Sequence, residues 1–325
     1  MGGDFLDWQR VIAGLKSALA TAFWRQVSPT VSGLVTTADN LNKPFSHLML
    51  NYAILRLLTW GNYLLLGECS MRKFFRGFGL AIILFIYVIA LFFIAALLIH
   101  YTKMPTRWVG IFQDAFVLLG VWLFNRYIAH VPINWWQGRQ MWLQLYQALP
   151  AIIVVGLLAT ANLAQIVHLP FSVLMVLYLG YIILVGLTEE YIFRGVLMPL
   201  FARSFPKRPL VAVALSSVLF GGLHIMNSTH LSLTYVLPQI LFAMAIGTLF
   251  ASLYARTKNL LLPVILHALT DLSVVVQLLQ HPNSSANLNF SSEVSMYVSI
   301  FYGTLLIVAI GVASRQLRHV KIQTD

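Results

Sequence analysis

The sequence has few charged residues, and fewer acidic than basic ones. Asp, Glu, Lys and Arg make up 10% of the 325 residues, and only 10 residues are acidic. A soluble domain carries about a quarter charged residues, so this composition, with 59% hydrophobic residues, predicts a polytopic membrane protein. The formal net charge of +11 does not indicate a nucleic-acid partner, because the basic residues cluster between apolar runs, as topology signals do.

Cysteine is also scarce. Cys69 is the only one, which excludes an internal disulfide and a metal site built from several thiolates. The N-terminus contains an acid at Asp4 and lacks the apolar core of a cleavable signal peptide. We therefore expect internal segments to direct membrane insertion.

Long apolar runs predict eight transmembrane helices, since about 20 apolar residues span a bilayer as a helix. The predicted fold class is all-α, a polytopic transmembrane helix bundle with a buried polar site formed by three of the spans. The predicted spans are roughly 78–101, 110–129, 148–168, 171–189, 209–224, 231–254, 259–280 and 296–314.

The spans divide the chain into four parts. Residues 1–76 form an N-terminal cytoplasmic or interfacial region, in which the apolar stretch 45–67 is either a ninth span or an interfacial helix with Arg56 snorkelling. The remaining parts are accessory transmembrane helices at 77–147, the membrane domain that carries the polar site at 148–314, and a cytoplasmic tail at 315–325.

Lys and Arg determine the predicted orientation. Arg203, Lys207 and Arg208 follow the fourth span, whereas the connections 225–230 and 281–295 contain no basic residue of either kind. The positive-inside rule therefore places both termini, and a loop at Glu189, on the cytoplasmic side.

Acidic residues at membrane depth are candidate functional residues, because a carboxylate there is costly unless it is paired, hydrated or protonated. Glu189 and Glu190 end the fourth apolar run, and Asp271 lies within the seventh. Asp114 lies in the second span, where it is either a hydrogen-bonded bundle residue or part of a polar cavity wall.

The two adjacent acids are expected to differ in role. Successive helical residues point about 100° apart, so Glu189 and Glu190 are predicted not to share a partner. Glu190 and Arg194 have the i,i+4 spacing of an ion pair, with the acid first, and we interpret this pair as structural. Glu189 is left without a local partner and is a candidate general base. Alternatively, both acids mark a helix end at the membrane interface.

Two histidines have partners at helical spacing. Phe220 and His224 share a helical face, and the two glycines between them permit close approach of another helix or a substrate. His267 and Asp271 also share a face, and Pro263 predicts a kink before them. The structural alternatives are an interfacial His224 and a hydrogen bond between His267 and Asp271.

Taken together, these residues suit proton transfer and polarisation of a carbonyl, or a metal-activated water. The sequence contains no serine elbow, no His-Glu-x-x-His motif and no phosphate loop. A strict zigzag of spans puts Glu189 at the inner end of its helix and His224 at the outer end of its own. They are expected to meet only if the 209–224 run stops within the bilayer or the fourth span breaks early.

Three motifs carry a family resemblance. Residues 189–194 (EEYIFR) resemble a Glu-Glu-x-x-x-Arg motif, 220–224 (FGGLH) a Phe-x-x-x-His motif, and 267–271 (HALTD) a His-x-x-x-Asn/Asp motif. In this order on separate spans they resemble the CAAX protease and bacteriocin-processing intramembrane endopeptidases, also called Abi proteins. The resemblance covers roughly 150–280 and implies that 148–314 is the catalytic membrane domain.

The resemblance implies a role for each motif residue. Glu189 would activate water, His224 would position or polarise it, His267 and Asp271 would stabilise the oxyanion, and Glu190, Arg194 and Phe220 would support the site. The family is described both as zinc-dependent and as metal-independent, so zinc or another divalent metal is implied as an alternative, with His224 and His267 as candidate ligands. Asp271 stands where other members carry Asn. Since an ionised Asp only accepts hydrogen bonds, it would orient His267 or bind a metal instead.

The expected function is therefore hydrolysis of peptide bonds in hydrophobic or lipidated, membrane-associated substrates near the cytoplasmic face. The family habit favours peptide maturation or bacteriocin self-immunity in a prokaryotic cell membrane, with lipid as a further partner and no nucleic acid. The alternative is a non-catalytic immunity or regulatory protein that binds a partner through the same bundle. An ion-coupled transporter would also use buried acids, but it predicts an internal repeat that the sequence lacks.

Overall fold

The computed structural model describes residues 74–229, 231–280, 290–318, 320 and 322. The chain divides into two compact units, Met1–Ser70 and Met71–Asp325, and all described residues belong to the second. The predicted segment 45–67 lies outside the described residues. The boundaries predicted at 76/77, 147/148 and 314/315 stay predictions.

The described part of the chain is helical and contains no strand. The helices are α1 (Phe74–Thr102), α2 (Thr106–Phe124, continued by a π-helical turn Asn125–Ala129), α3 (Met141–Val167), α4 (Val173–Glu190, continued by a π-helical turn Tyr191–Leu197), α5 (Met198–Ser204), α6 (Pro209–Leu223, continued by a 3₁₀ segment His224–Thr229), α7 (Leu233–Thr257), α8 (Leu261–Thr270), α9 (Leu272–Gln280) and α10 (Ser292–Gln316).

Eight spans are long and apolar enough to cross a membrane within the described residues. The all-α, polytopic fold class is confirmed. α7 is the central helix, because 67% of its most apolar stretch is buried in the bundle, against 11% for α10. α6 and α10 pack along α7, and α8 packs along α4. The outward faces of α1 and α3 carry exposed apolar residues such as Ile86, Phe93 and Leu157, as expected of surfaces that contact lipid.

The fourth span differs most from its prediction. We expected it to end at Glu189, but α4 runs directly through the π-helical turn into α5, so that one continuous 32-residue rod covers Val173–Ser204. Glu189 and Glu190 lie in the middle of this rod, and the expected loop at Glu189 is wrong. The segment after Glu190 stays helical because it is buried inside the bundle, including Arg194, which is 1% exposed.

This extension brings Glu189 and His224 to the same depth. Ser204 is 15 residues after Glu189, and His224 is 15 residues after Pro209 (204 − 189 and 224 − 209). At a rise of 1.5 Å per residue, both lie about 22 Å from the turn that joins α5 to α6. The fourth span does not break early, and the two residues meet because it continues beyond Glu189.

The predicted kink at Pro263 is also wrong. α8 begins at Leu261, so that Pro263 is its third residue, where the missing N–H would have no partner within the helix anyway. The backbone N–H of Leu260 donates instead to the carbonyl of Asn134 at 3.0 Å. Asn134 belongs to the non-helical connection between α2 and α3. This connection thus supplies a hydrogen-bond acceptor to a backbone N–H at the start of α8. The break in this span comes later, at Asp271 between α8 and α9.

Candidate active site

Close packing of α4 against α8 positions the acidic pair. A Cβ atom on Gly186 would lie 2.9 Å from the carbonyl oxygen of Val264 and 3.2 Å from the amide nitrogen of Ala268. Only glycine allows this approach. Gly186 lies one helical turn before Glu190, and Ala268 follows His267 directly, so the contact places the acids against the imidazole.

His267 lies between both glutamates. Its Nδ1 is 2.7 Å from Oε1 of Glu190, and its Nε2 is 3.2 Å from Oε2 of Glu189. The prediction that the two acids cannot share a partner is wrong. Side chains about 100° apart on one helix reach the same residue because an imidazole has nitrogens at two different edges of its ring.

This geometry fixes the chemistry of His267. A neutral imidazole has one N–H, whereas the imidazolium donates from both nitrogens, so two ionised carboxylate partners require the charged form. His267 is 5% exposed, and a buried charge needs such partners. Since both N–H groups point at carboxylates, neither is left for the predicted contact with an oxyanion. The arrangement, in which the ring and both acids form one cluster, is suited to positioning Glu189.

The supporting side of the site is a buried ion pair. Nη1 of Arg194 lies 2.9 Å from Oε1 of Glu190, with exposed side-chain fractions of 1% and 0%, which confirms the predicted pair. The guanidinium stacks 4.4 Å from the ring centroid of Phe220, a favourable cation–π contact. The ring of Phe220 also packs against that of His267, at 5.8 Å. Phe220 therefore contacts both Arg194 and His267.

His224 presents one ring nitrogen to the site. Its Nδ1 lies 2.9 Å from the backbone carbonyl oxygen of Phe220. A carbonyl only accepts hydrogen bonds, so Nδ1 carries the proton and the neutral ring has an unprotonated Nε2. An unprotonated ring nitrogen of this kind accepts a hydrogen bond from water.

Asp271 lies where α8 ends, and its Oδ2 is 3.7 Å from Nε2 of His267. The same nitrogen also faces Glu189. The contact agrees with the alternative in which Asp271 orients His267. The hydroxyl of Thr270 donates to the carbonyl of His267 at 2.6 Å and lies 3.4 Å from Oδ1 of Asp271, which further fixes this helix end.

These groups border one cavity of about 270 Å³. Its polar and apolar lining residues are Phe92, Gln113, Tyr181, Ile182, Val185, Glu189, Leu223, His224, Met226, Asn227, Gln239, His267, Asp271 and Val274. The structure thus brings together the four residues predicted to be catalytic. Glu190 and Arg194 are not among the lining residues. Phe220 is 3% exposed and also lies outside the lining.

Two further polar residues belong to this region and to none of the motifs. Asp114 is 7% exposed and interacts electrostatically with Glu189, Asp271 and His267. Its carboxylate is the hydrogen-bond partner of the Tyr181 hydroxyl. Of the two alternatives predicted for Asp114, the structure favours the hydrogen-bonded bundle residue, because Asp114 bonds to Tyr181 and is not among the residues that line the cavity. An acid inside an apolar run was the signal for Asp114, whereas nothing in the sequence distinguishes Tyr181 from the other tyrosines.

The side chains as placed do not fit a zinc site. Among the described residues, no group of three His, Cys, Asp or Glu side chains is arranged to hold a metal ion. Both ring nitrogens of His267 face carboxylates, so of the two predicted ligands only His224 offers a nitrogen to a metal. Binding of a divalent ion by His224 and His267 stays a prediction, and no step proposed below passes through a metal.

Comparison with known proteins agrees with this site. Residues 170–273 match a family model described as "Type II CAAX prenyl endopeptidase Rce1-like". No match to the chain was found among curated proteins or among solved structures. The match covers about a third of the chain (104 of 325 residues), on the helices that hold Glu189, His224 and His267. The predicted resemblance is confirmed: this segment carries the sequence pattern of the CAAX endopeptidases, a family of proteases.

Proposed function

We propose that this chain is an intramembrane endopeptidase that hydrolyses peptide bonds of hydrophobic or lipidated, membrane-associated substrates, with water activated by Glu189. One observation carries the proposal. Glu189 is the acid of the pair that reaches the cavity, with 17% of its side chain exposed, while His267 holds one of its oxygens at 3.2 Å. The other oxygen is available to a water molecule within the cavity.

The chemical steps follow from the donors and acceptors present. A water molecule between Glu189 and Nε2 of His224 gives one proton to Glu189 as its oxygen attacks the carbonyl carbon of the substrate. His224 accepts a hydrogen bond from the remaining O–H and so orients the attacking lone pair. Glu189 then transfers the proton to the amide nitrogen as the C–N bond breaks. The products are a carboxyl group and an amine, and Glu189 returns to its starting state.

His267 and Asp271 contribute to this proposal through Glu189. Held by two carboxylates and oriented by Asp271, the imidazolium fixes the rotamer of the base and balances its charge, which is the kind of preorganisation that positions catalytic groups. In this proposal the positive charge of the His267 ring, and not a direct N–H contact, stabilises the oxyanion.

The depth of Glu189 leads us to propose another side of the membrane for the cut than the cytoplasmic face that we expected. Glu189 lies about 22 Å from the basic turn after α5. The cavity is lined by Met226 and Asn227 from the 224–229 segment, which carries no Lys or Arg. With the orientation that the basic residues predict, the proposed site opens toward the non-cytoplasmic side. Substrates presented from that side include exported or external peptides, and a role in peptide maturation or bacteriocin self-immunity in a prokaryotic membrane stays part of the proposal.

The test is cleavage of hydrophobic peptides by the purified full-length chain in detergent. We expect the wild-type protein to produce defined fragments, and we expect Glu189→Ala and His224→Ala to lose this activity while eluting as the same monodisperse species. Equal cleavage by all three proteins would overturn the assignment. If no protein cleaves and a cellular phenotype is complemented by Glu189→Ala, the non-catalytic partner-binding alternative replaces the protease.

Chelation tests the metal question separately. Because, of the two predicted ligands, only His224 offers a free ring nitrogen, we expect treatment with a strong zinc chelator to leave the cleavage rate unchanged. Loss of cleavage that is restored by added zinc, but not by magnesium, would show that His224 and His267 rearrange around a metal.

A further inference from the structure

The cavity wall near His224 carries three uncharged amide side chains, which none of the motifs explains. Gln113 comes from α2, Asn227 from the 3₁₀ segment after α6, and Gln239 from α7. All three are half-buried. Gln113 lies outside the segment that matches the family model.

The amides stand close to the reacting groups. Residues i and i+3 of a 3₁₀ helix are eclipsed, so Asn227 lies on the same face as His224, one turn further along the chain. Nδ2 of Asn227 donates to Oε1 of Gln239 at 2.9 Å. The bond ties the segment after α6 to α7 directly beside the catalytic histidine.

This pair keeps unused hydrogen-bonding capacity. The bond occupies one N–H of Asn227 and one lone pair of Gln239, so that Oδ1 of Asn227 and Nε2 of Gln239 remain as an acceptor and a donor. Exchanging O and N on both amides reverses the bond and leaves the same capacity. Within the described part of the chain, the amide of Gln113 has no hydrogen-bond partner.

We propose that Asn227 and Gln239, together with Gln113, bind the main chain of an extended substrate peptide. This inference rests on the proposed protease function and names how that site selects its substrate. A peptide that enters apolar surroundings must satisfy its backbone N–H and C=O groups. One acceptor beside one donor matches the N–H and C=O groups of a single peptide unit. Because the amides are neutral, they do not select substrates by charge.

The remaining wall is suited to apolar side chains. Phe92, Ile182, Val185, Leu223, Met226 and Val274 line the cavity around the amides. The subsite therefore selects substrates by their backbone conformation and general hydrophobicity, and individual side chains of the substrate contribute little to selectivity. A lipid headgroup is a poorer occupant, because no Lys or Arg in the described part of the chain lines the cavity.

The experiment combines single N-methylation of the substrate with removal of one amide. A fluorescently labelled hydrophobic peptide is N-methylated at one backbone position at a time, and its Kd is measured with the full-length chain carrying Glu189→Gln, which holds the peptide without cutting it. We expect one position to lose about tenfold in affinity, the loss of one hydrogen bond to a buried partner. Adding Gln239→Met is expected to cause a similar loss with the unmodified peptide.

The combination decides the proposal. N-methylation removes a peptide donor, so it reports on the amide that supplies the acceptor. If Oδ1 of Asn227 is that acceptor, N-methylation at that one position costs less than twofold once Asn227→Leu is present; the same result with Gln239→Met identifies Gln239 as the acceptor. Ser228→Ala, an exposed neighbour outside the cavity lining, serves as the control and keeps the full tenfold sensitivity. Equal N-methyl sensitivity in all variants, or unchanged affinity in both amide variants, would overturn the subsite. Intact selectivity without cleavage by the wild-type chain would instead overturn the protease function alone.

Discussion

Glu189 and Glu190 are neighbours in the chain and contact the same imidazole, yet they lie in two different environments. Glu190 is fully buried and shares Oε1 between Arg194 and His267. Glu189 contacts the other edge of His267, and 17% of its side chain is exposed at a cavity that also includes His224. One side of His267 is thus buried against an ion pair, while the other side reaches the cavity.

This difference indicates a structural role for Glu190 and a chemical role for Glu189. A fully buried carboxylate that has a guanidinium and an imidazolium as partners is out of reach of a substrate, and removing it leaves charges unpaired. A carboxylate with one held oxygen and one accessible oxygen has the geometry of a general base. We therefore expect substitution of Glu189 to lower the cleavage rate and substitution of Glu190 to lower the stability of the fold.

The largest expected effect is on turnover. Glu189→Gln keeps the shape and an acceptor for His267 but cannot take a proton, so we expect the cleavage rate to fall about 100- to 10,000-fold. The thermal unfolding midpoint in detergent is expected to stay close to that of the wild type. Glu293→Gln, an exposed acid in the first turn of α10, is the control and should change neither quantity.

The next effect is on stability. Glu190→Gln leaves Arg194 charged and buried without its counter-ion, which typically costs about 3–5 kcal/mol, and we expect aggregation or a strongly lowered unfolding midpoint. Adding Arg194→Met removes the unpaired charge, so the double variant should unfold at a higher temperature than Glu190→Gln alone. A double variant that is less stable than the single one would show that the pair is not the main support.

The two glycines between Phe220 and His224 offer a matched pair with a smaller effect. A Cβ on Gly221 would clash with Met244 and lie 2.8 Å from the carbonyl oxygen of Ile240, whereas a Cβ on Gly222 would meet nothing within 4 Å. Gly221→Ala is expected to destabilise the fold by about 1–3 kcal/mol through overpacking of α6 on α7.

Gly222→Ala should instead be neutral or stabilising by up to about 1 kcal/mol, because alanine favours the helix. Unfolding midpoints in detergent compare the two variants directly. Equal effects would mean that the close approach of α6 and α7, which orients His224, is not as the structure describes it.

The smallest expected effect concerns the hydrogen bond between Tyr181 and Asp114. Tyr181→Phe keeps the ring, which packs over Gly110, and removes the hydroxyl that serves Asp114. We expect kcat/KM to fall about two- to tenfold, as for one hydrogen bond. Tyr178→Phe, a buried tyrosine one helical turn earlier that does not line the cavity, should have no effect on kcat/KM. A loss as large as that of Glu189→Gln would instead place Tyr181 in the chemistry itself.

Much of the fold was predictable because membrane spans depend on local composition. The other seven predicted spans agree with the observed helices to within several residues. The prediction of the fourth span failed because charged residues such as Arg194 and Arg203 are typical of a loop outside the membrane. Arg194 stays inside the bundle through its pair with Glu190, which the i,i+4 spacing predicted, and through its contact with the ring of Phe220 from α6. No local pattern reports the contact with Phe220.

The candidate site was predictable in its members and not in its contacts. Spacing along one helix found the Glu190–Arg194 pair, since both residues lie on α4 and its continuation. The position of His267 between Glu189 and Glu190 depends on the packing of α8 against α4 at Gly186, which spacing along one helix does not contain. For the same reason the amides of Asn227 and Gln239, from two separate segments, had no signal in the sequence.

The most direct test of the central claim is an electron cryo-microscopy structure of the full-length chain with a peptide that carries a secondary hydroxyl in place of the scissile carbonyl. We predict that this hydroxyl, which mimics the tetrahedral intermediate, lies within about 3 Å of the Glu189 carboxylate, beside Nε2 of His224 and with His267 still between the two glutamates. A hydroxyl bound to a metal held by His224 and His267, or a peptide bound away from Glu189, would contradict the account.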